Sequence, residues 1–214
     1  EDSDDRHLSQ FYHCELEMKG DYKECMNVAE NLVKSVLSEL IKYKEQGKFS
    51  FREDNFRFAK KIINKKFPCV TFDEAEQILK DNKLNSLIKY NNFGRTFTAD
   101  AELAISRIIG RNYLPVWVTK YDRDSVAFYQ KPDSENEDRV LNADLLFPSI
   151  NGSFGGEIIG LGQRQDTVKE LYESMRRQGI KNVELYDWYI NLRRYKKYQI
   201  TSGFGLGIER LLAW

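Results

Sequence analysis

The chain has 214 residues, of which 41% are hydrophobic and 13% aromatic, so it can bury one sizeable core. Lys and Arg together number 33, as do Asp and Glu, and this even balance creates no general attraction for nucleic acid. No apolar run approaches the roughly 20 residues of a membrane helix, and the acidic N-terminus does not resemble a signal peptide, so we expect a cytoplasmic protein without a membrane partner.

The chain contains three cysteines, Cys14, Cys25 and Cys69. An odd number without CxxC spacing fits neither a disulfide framework nor a four-ligand zinc site. We therefore expect reduced, partly buried thiols.

The first half of the chain predicts one strand followed by helices. Polar and apolar residues alternate over residues 11–18, as in a strand with one polar face. Apolar positions repeat at helical spacing from Tyr22 to Glu45, and Gly47 follows as a helix stop. Two more helical stretches, FRFAKKIINKK and DEAEQILKDN, lie between residues 50 and 92 and are separated by Pro68. We interpret them as a helical insertion packed beside a sheet.

The second half predicts most of the sheet. After a helix over residues 100–109 come four strand patterns, PVWVT, SVAFYQ, LNADLLF and GGEIIGLG, and the short connections between the first three favour antiparallel neighbours. One helix is predicted from Thr167 to Gln178. Another is predicted around ELYDWYINLRRY, with one face formed by Leu185, Trp188, Tyr189 and Leu192. The chain closes with a glycine-rich strand and a helix, TSGFGLGIERLLAW. We expect one α+β domain, an antiparallel β-sheet flanked by helices.

Glycine occupies every second position of that last strand, from Gly203 to Gly207, and Arg210 follows. Glycines on one face of a strand allow a flat ligand to lie on the backbone. An arginine at the start of the next helix is suited to a phosphate oxygen. The alternative is a weakened strand beside an ordinary surface arginine.

A second group of candidate residues comprises Asp144 and Glu157, on adjacent predicted strands, and Arg164. Paired carboxylates at a phosphate site are the usual ligands of Mg²⁺, which also keeps waters and phosphate oxygens. The alternative is a salt bridge between Arg164 and either acid.

A third group lies at the N-terminus, where Arg6 and His7 precede Phe11. Phe11 could stack on a base and His7 could reach a terminal phosphate. Lone His and Phe residues are more often structural, so this group depends on the other two.

These segments resemble a known family. RHLSQFYHCELEM resembles motif 2 of class II aminoacyl-tRNA synthetases of the asparaginyl and aspartyl branch, and GFGLGIERLL resembles motif 3. Between them, AFYQKP, ADLLFP, GEIIGLGQR and WYINLRRY follow in the order, and at nearly the spacing, of the asparaginyl enzymes. The resemblance covers residues 6–214. It implies a class II catalytic domain over residues 1–214, with a helical insertion between motif 2 and the later strands.

The resemblance implies a role for each candidate. ATP would be bound by Arg6, His7, Phe11, Glu157, Gly205, Gly207 and Arg210, with Phe11 stacked on adenine, the glycines beneath the adenosine, and His7 and Arg210 on the γ-phosphate. Asp144 and Glu157 would hold Mg²⁺. Arg164 would contact the side-chain carbonyl of the amino acid, and Glu102 would help to recognise it. The catalytic residues would be His7, Glu157 and Arg210.

The implied activity is ATP-dependent formation of an aminoacyl-adenylate, with asparagine the first choice and aspartate the second, followed by transfer to tRNA. A full-length class II enzyme of this type would be a homodimer. The chain begins at Glu1, after the motif 2 arginine that binds the α-phosphate in the family, and it lacks motif 1 and an anticodon-binding domain. We therefore expect this stretch alone to be a poor catalyst.

Departures from the asparaginyl pattern favour an alternative. Gln10 replaces the usual Glu, NGSFGG lengthens the loop before Glu157, Ala104 replaces the second acid of a Glu-His-Glu run, and Gln199, Ile200 and Thr201 stand where a Pro-His pair is usual. A synthetase paralogue could form the adenylate and pass the acyl group to ammonia, another amine or a carrier, as an asparagine-synthetase-like ligase does. A nucleotide-binding pseudo-enzyme is a third interpretation, and the set of Asp144, Glu157 and Arg210 argues against it.

Overall fold

The computed structural model describes residues 8–50 and 52–214. The strands in this part of the chain are β1 His13–Lys19, β2 Cys69–Thr71, β3 Ile88–Asn91, β4 Gly94–Phe97, β5 Val116–Thr119, β6 Pro132–Asp133, β7 Asn136–Val140, β8 Asn142–Phe147, β9 Gly156–Gln163 and β10 Thr201–Gly207. The α-helices are α1 Tyr22–Glu45, α2 Glu53–Ile62, α3 Phe72–Asp81, α4 Ala99–Ile109, α5 Val168–Arg177, α6 Asp187–Asn191 and α7 Ile208–Ala213.

Six strands form the main sheet, in the order β1-β10-β9-β8-β5-β2. Every neighbouring pair is antiparallel except β2 and β5 at one edge, which are parallel. A parallel pair needs a long crossover, and α3, the β3–β4 hairpin and α4 provide it. The α+β prediction of a mainly antiparallel sheet flanked by helices is confirmed.

The two faces of the sheet pack against different helices. Alternation along β5 sends Trp117 to the back face, where α1 and α2 cover the main core, and Val116 and Val118 to the front. On the front face, α3 and α4 cover the β2–β5–β8 half of the sheet and part of β9, in a second core that includes Phe72 and Ile105.

The other half of the front face carries side chains of a different kind. Phe204 and Leu206 of β10 belong to the back core, so Gly203, Gly205 and Gly207 face forward. Because β1 pairs with β10, its polar residues lie on the same side. This half therefore presents a polar surface floored by glycine.

Local signals explain where the predicted helices begin and end. Asp21 caps α1 in a capping box with Glu24, and α1 spans the predicted residues from Tyr22 to Glu45. Thr167 caps α5 through the Glu170 amide, and Gly179 follows at a φ of +69°. Both helix predictions are confirmed.

Two expectations for local structure were wrong, and a third, the helical insertion, was incomplete although its helices α2 and α3 are present. SVAFYQ is not a strand, because Phe128 packs against α5 and α6 and the Gln165 side chain binds the carbonyls of Phe128 and Gln130. Residues 183–194 form α6 between two short 3₁₀ turns. Leu185 and Trp188 are 66% and 69% exposed rather than on a packed face. The predicted helical insertion also contains the β3–β4 hairpin.

All three cysteines are free; Cys25 is buried, whereas Cys14 and Cys69 are exposed rather than partly buried. Across residues 8–50 and 52–214, no helix has the length and apolarity needed to cross a membrane.

Candidate active site

Two pockets meet on the open half of the front face. The Arg210 pocket is lined by Leu8, Phe11, His13, Glu157, Ile158, Gly205, Gly207, Glu209 and Arg210. The Arg164 pocket is lined by residues of β1, β8, β9 and β10 together with Tyr129, Gln130 and Arg164. His13, Glu157 and Gly205 line both, so the two pockets form one continuous groove.

A separate cavity opens at the back of the sheet between α1 and α7. Its walls are mainly apolar and include Leu37, Leu206 and Trp214. It contains no pair of carboxylates and no arginine beside an acid, so the chemistry belongs to the groove on the front.

In the Arg210 pocket, an acid holds the arginine in place. Arg210 Nη1 donates hydrogen bonds to the backbone oxygen of Glu157 at 2.9 Å and to its Oε2 at 3.2 Å. A Cβ at Gly207 would lie 3.2 Å from Arg210 Cδ, so the glycine leaves room for the arginine stem. Phe11 is 55% exposed at the opposite wall. The pocket thus combines the exposed Phe11 ring, a strand whose glycines present no side chain, and an arginine held in place by a carboxylate.

Asp144 and Glu157 lie together where the two pockets meet. A Cβ built on Gly160 would be 2.9 Å from Glu157 Oε1 and 3.7 Å from Asp144 Oδ1, so both carboxylates border the space above this glycine. Burial and the negative charge of Glu157 raise the pKa of Asp144 well above its usual value, although the Tyr121 hydroxyl binds the carboxylate. The negative charge here exceeds what the neighbouring groups neutralise.

That excess suits a cation. The described residues contain no group of three or more His, Cys, Asp or Glu side chains placed to hold a metal. Two carboxylates with open space between them fit Mg²⁺, because this ion takes few protein ligands and keeps its remaining positions for water and phosphate.

In the Arg164 pocket, the guanidinium is paired with Glu17 rather than with Asp144 or Glu157. Arg164 Nη2 lies 2.9 Å from Glu17 Oε2, and its guanidinium carbon is 5.2 Å from the centre of the Tyr129 ring. Burial opposes the charge, but the hydrogen bonds to Glu17 outweigh it and raise the pKa of Arg164. The salt bridge considered as an alternative for Arg164 is therefore absent from the described structure.

Glu102 occupies a supporting position. Its Oε2 accepts a hydrogen bond from the Glu157 backbone N–H at 3.1 Å, so α4 holds the start of β9. The structure places Glu102 beneath the acid pair, outside the residues that line the Arg164 pocket. Its predicted role in amino-acid recognition stays a prediction.

The structure thus brings together most of the predicted site, in one groove: Phe11, Asp144, Glu157, Arg164, Gly205, Gly207 and Arg210. Arg6 and His7 lie outside the described residues. The groove also contains His13 and Glu17, for which the sequence predicts no role. Their signal was the alternation of β1, which places every second residue of that strand on the groove.

A sequence profile described as tRNA synthetases class II (D, K and N) matches residues 1–214. The chain belongs to this family. Asparagine–tRNA ligases of Thermococcus kodakarensis and Pyrococcus furiosus are 35% and 34% identical to it over 211 and 210 residues. Each alignment covers 98% of this chain and 45% of the relative, so the chain spans about half the length of these ligases.

Solved structures of the class II family support the same relationship. Asparaginyl-tRNA synthetase from Pyrococcus horikoshii, complexed with asparaginyl-adenylate, matches with a TM-score of 0.82 at 34% identity, over 98% of this chain and 45% of that one. The Entamoeba histolytica enzyme, also in complex with asparaginyl-adenylate, gives a TM-score of 0.77 at 25% identity, with the same coverage.

Within this class II chain, one departure has a structural explanation. Ala104, which replaces the second acid of the Glu-His-Glu run, packs against the second core beneath the front face. A carboxylate there would meet apolar neighbours, so the apolar residue is consistent with its surroundings.

Proposed function

We propose that this chain is the catalytic core of an enzyme that activates an amino acid with ATP, with asparagine the first choice and aspartate the second, and transfers it to tRNA. The observation that carries the proposal is the single groove with Arg210 and Phe11 at one end, Arg164 at the other and two acids where the pockets meet. An adenylate needs this order, because the nucleotide and the amino acid must meet at the α-phosphate.

At the nucleotide end, Phe11 stacks on adenine while the bare strand at Gly205 and Gly207 supports the adenosine. Arg210 binds the γ-phosphate, and its bonds to Glu157 fix the guanidinium before ATP arrives. We assign His7 to the γ-phosphate and Arg6 to ATP on the family resemblance alone, because both residues lie outside the described structure.

Asp144 and Glu157 hold Mg²⁺, since their shared space and excess charge fit this ion. When bound, Mg²⁺ neutralises charge on the phosphates of ATP.

At the amino-acid end, Arg164 donates to the side-chain carbonyl oxygen of asparagine, and Glu17 keeps its guanidinium in place. An amino-acid carboxylate oxygen attacks the α-phosphorus in line. The new bond joins that oxygen to phosphorus, the bond to the bridging oxygen breaks, and pyrophosphate leaves. The protein supplies position and charge rather than a proton.

The test is ATP–pyrophosphate exchange by the full-length protein, with asparagine, aspartate and a panel of other amino acids supplied singly. We expect exchange with asparagine and little with the rest. Exchange with a different acid would replace the substrate assignment, and no exchange with any amino acid would contradict the proposed activity.

The substitutions near β10 favour one alternative acceptor. Ile200 is 44% exposed and Thr201 begins β10, at positions where the asparaginyl pattern has Pro and His. If the adenylate passes to an amine instead of tRNA, AMP release will depend on the amine and not on tRNA. Measuring AMP with each acceptor separates a tRNA ligase from an amide-forming paralogue.

We further propose that the full-length protein is a cytoplasmic homodimer with tRNA as its macromolecular partner. Light scattering of that protein, with and without tRNA, tests the homodimer and the tRNA partner. A monomer, or a mass unchanged by tRNA, would contradict the corresponding assignment.

A further inference from the structure

Three residues line both pockets of the groove, and one of them has no role in the proposed function. Glu157 belongs to the acid pair and Gly205 to the glycine floor. His13 is the third. It projects from β1 at the point where nucleotide and amino acid must meet.

The His13 ring lies over the glycine strand. His13 pairs with Gly207 in the sheet, and its Nδ1 would be 3.7 Å from a Cβ built on Gly205. Its ring centre is 4.9 Å from that of Phe11. A side chain at Gly205 would fill the space between the imidazole and the β10 backbone, which the glycine leaves open.

Glu15 lies beside one nitrogen of this imidazole. Nδ1 lies 3.4 Å from Glu15 Oε1, and the His13 side chain is 44% exposed. Within residues 8–50 and 52–214, Nε2 has no hydrogen-bond partner. One ring nitrogen thus faces a carboxylate while the other is left for a ligand.

A hydrogen-bond donor at this point would add to the motif 2 arginine that binds the α-phosphate in the family. The attacking carboxylate and the α-phosphate are both anionic, so they repel each other as they approach. The arginines stand at the two ends of the groove, where Arg210 is bound to Glu157 and Arg164 to Glu17. Of the three residues shared by the two pockets, His13 alone has a side chain that can donate a hydrogen bond.

We propose that His13 contacts the α-phosphate during adenylate formation with both ring nitrogens protonated, so that Nδ1 faces Glu15 and Nε2 donates a hydrogen bond to one of the non-bridging oxygens. The contact stabilises the charge that those oxygens carry as the acyl-oxygen bond to phosphorus forms and the bond to pyrophosphate breaks. No proton is transferred. The assignment rests on the proposed function, because it requires a nucleotide in one pocket and an amino acid in the other.

The first test measures pyrophosphate exchange by His13→Ala and His13→Gln in the full-length protein. We expect His13→Ala to lower kcat by about 10-fold to 100-fold, the range for a lost hydrogen bond to a charged group, with little change in KM for ATP or amino acid. His13→Gln keeps a donor and should recover part of the rate. The matched control is Tyr12→Ala, the next residue, whose exposed side chain lines neither pocket.

The second test does not depend on turnover. A sulfamoyl analogue of asparaginyl-adenylate spans both pockets, and calorimetry should show that His13→Ala weakens its binding by about tenfold, while adenosine binding is unchanged. Unfolding curves confirm that each variant is folded.

The outcomes separate the two proposals. If His13→Ala keeps the wild-type exchange rate and analogue affinity, the proposed role of His13 is wrong. An increase in either would also overturn it, because it would mean that the ring obstructs the groove. A wild-type protein without exchange would contradict the proposed function while the analogue still decides the role of His13. Failure of the wild type to bind the analogue would overturn both.

Discussion

Arg210 illustrates how single residues in the groove depend on one another. Its side chain is 26% exposed and its guanidinium is bound to Glu157, so removal of either residue disturbs both the cation and the acid pair. We expect Arg210→Ala and Glu157→Ala each to reduce exchange by at least about 10²-fold to 10³-fold, the loss that follows removal of one preorganised donor. Both variants should keep the wild-type fold, because neither side chain belongs to a core cluster.

The matched control is Arg177→Ala. This arginine is also partly exposed, at 34%, and pairs with Asp124 and Asp138 away from the groove. Exchange in Arg177→Ala should equal that of the wild type. Normal exchange in either Arg210→Ala or Glu157→Ala would refute the nucleotide site.

The buried thiol of Cys25 should make the stability of the fold depend on pH. Burial raises its pKa to about 11 from an ordinary value of 9.0. Above pH 9 the unfolded chain loses this proton while the folded chain keeps it, so the thiol's contribution to stability falls as pH rises from about 9 to 11.

The free energy of unfolding of wild type minus that of Cys25→Ala should therefore decrease across that interval, by on the order of 2 kcal/mol. Urea titrations of both proteins at several pH values measure this difference. Other groups titrate equally in both proteins. A difference that stays constant with pH would therefore show that the pKa of the thiol is not raised in the folded state.

At the scale of elements, two of the three glycines of β10 have different roles. A Cβ at Gly203 would lie 2.6 Å from the backbone oxygen of Leu16 and 2.1 Å from Glu17 Oε2, so the two strands would have to separate. A Cβ at Gly205 would meet only His13, at 3.7 Å, which is ordinary contact.

We therefore predict opposite effects of two alanine substitutions on one strand. Gly203→Ala should destabilise the fold by about 1–3 kcal/mol, as overpacking does, and should raise KM for the amino acid by disturbing Glu17 and Arg164. Gly205→Ala should unfold like the wild type yet raise KM for ATP about tenfold, equivalent to ~1.4 kcal/mol. Thermal unfolding and exchange kinetics check both, and equal stabilities would contradict the steric assignment.

Elements with a local signal were predictable from the sequence. The boundaries of α1 follow from its periodicity and its cap, and the strand-to-helix turn at Gly207 follows from alternating glycines. The β3–β4 hairpin was missed although Asn91 and Gly94 bracket its turn, because the surrounding region reads as helical. The pairing of Glu17 with Arg164 could not be read from the chain, since 147 positions separate them and only the sheet order brings them together.

At the scale of the whole molecule, different parts of the sheet provide the hydrophobic core and the proposed binding groove. Its back face is covered by α1 and α2, and its front face is covered by α3 and α4 over half its width. The uncovered half contributes glycine and charged side chains instead of apolar contacts. A ligand that fills the groove should therefore add to stability without replacing any packing of the core.

We predict that the sulfamoyl analogue of asparaginyl-adenylate raises the Tm of the wild-type protein. At 100 times its Kd, a ligand that binds only the folded state contributes about 2.7 kcal/mol. For a chain of this size each kcal/mol corresponds to about 2–4 °C, so the expected rise is about 5–10 °C. Adenosine or asparagine alone, at the same concentration, occupies one pocket and should produce a smaller shift. Equal shifts from adenosine and the analogue would mean that the two pockets do not act as one groove.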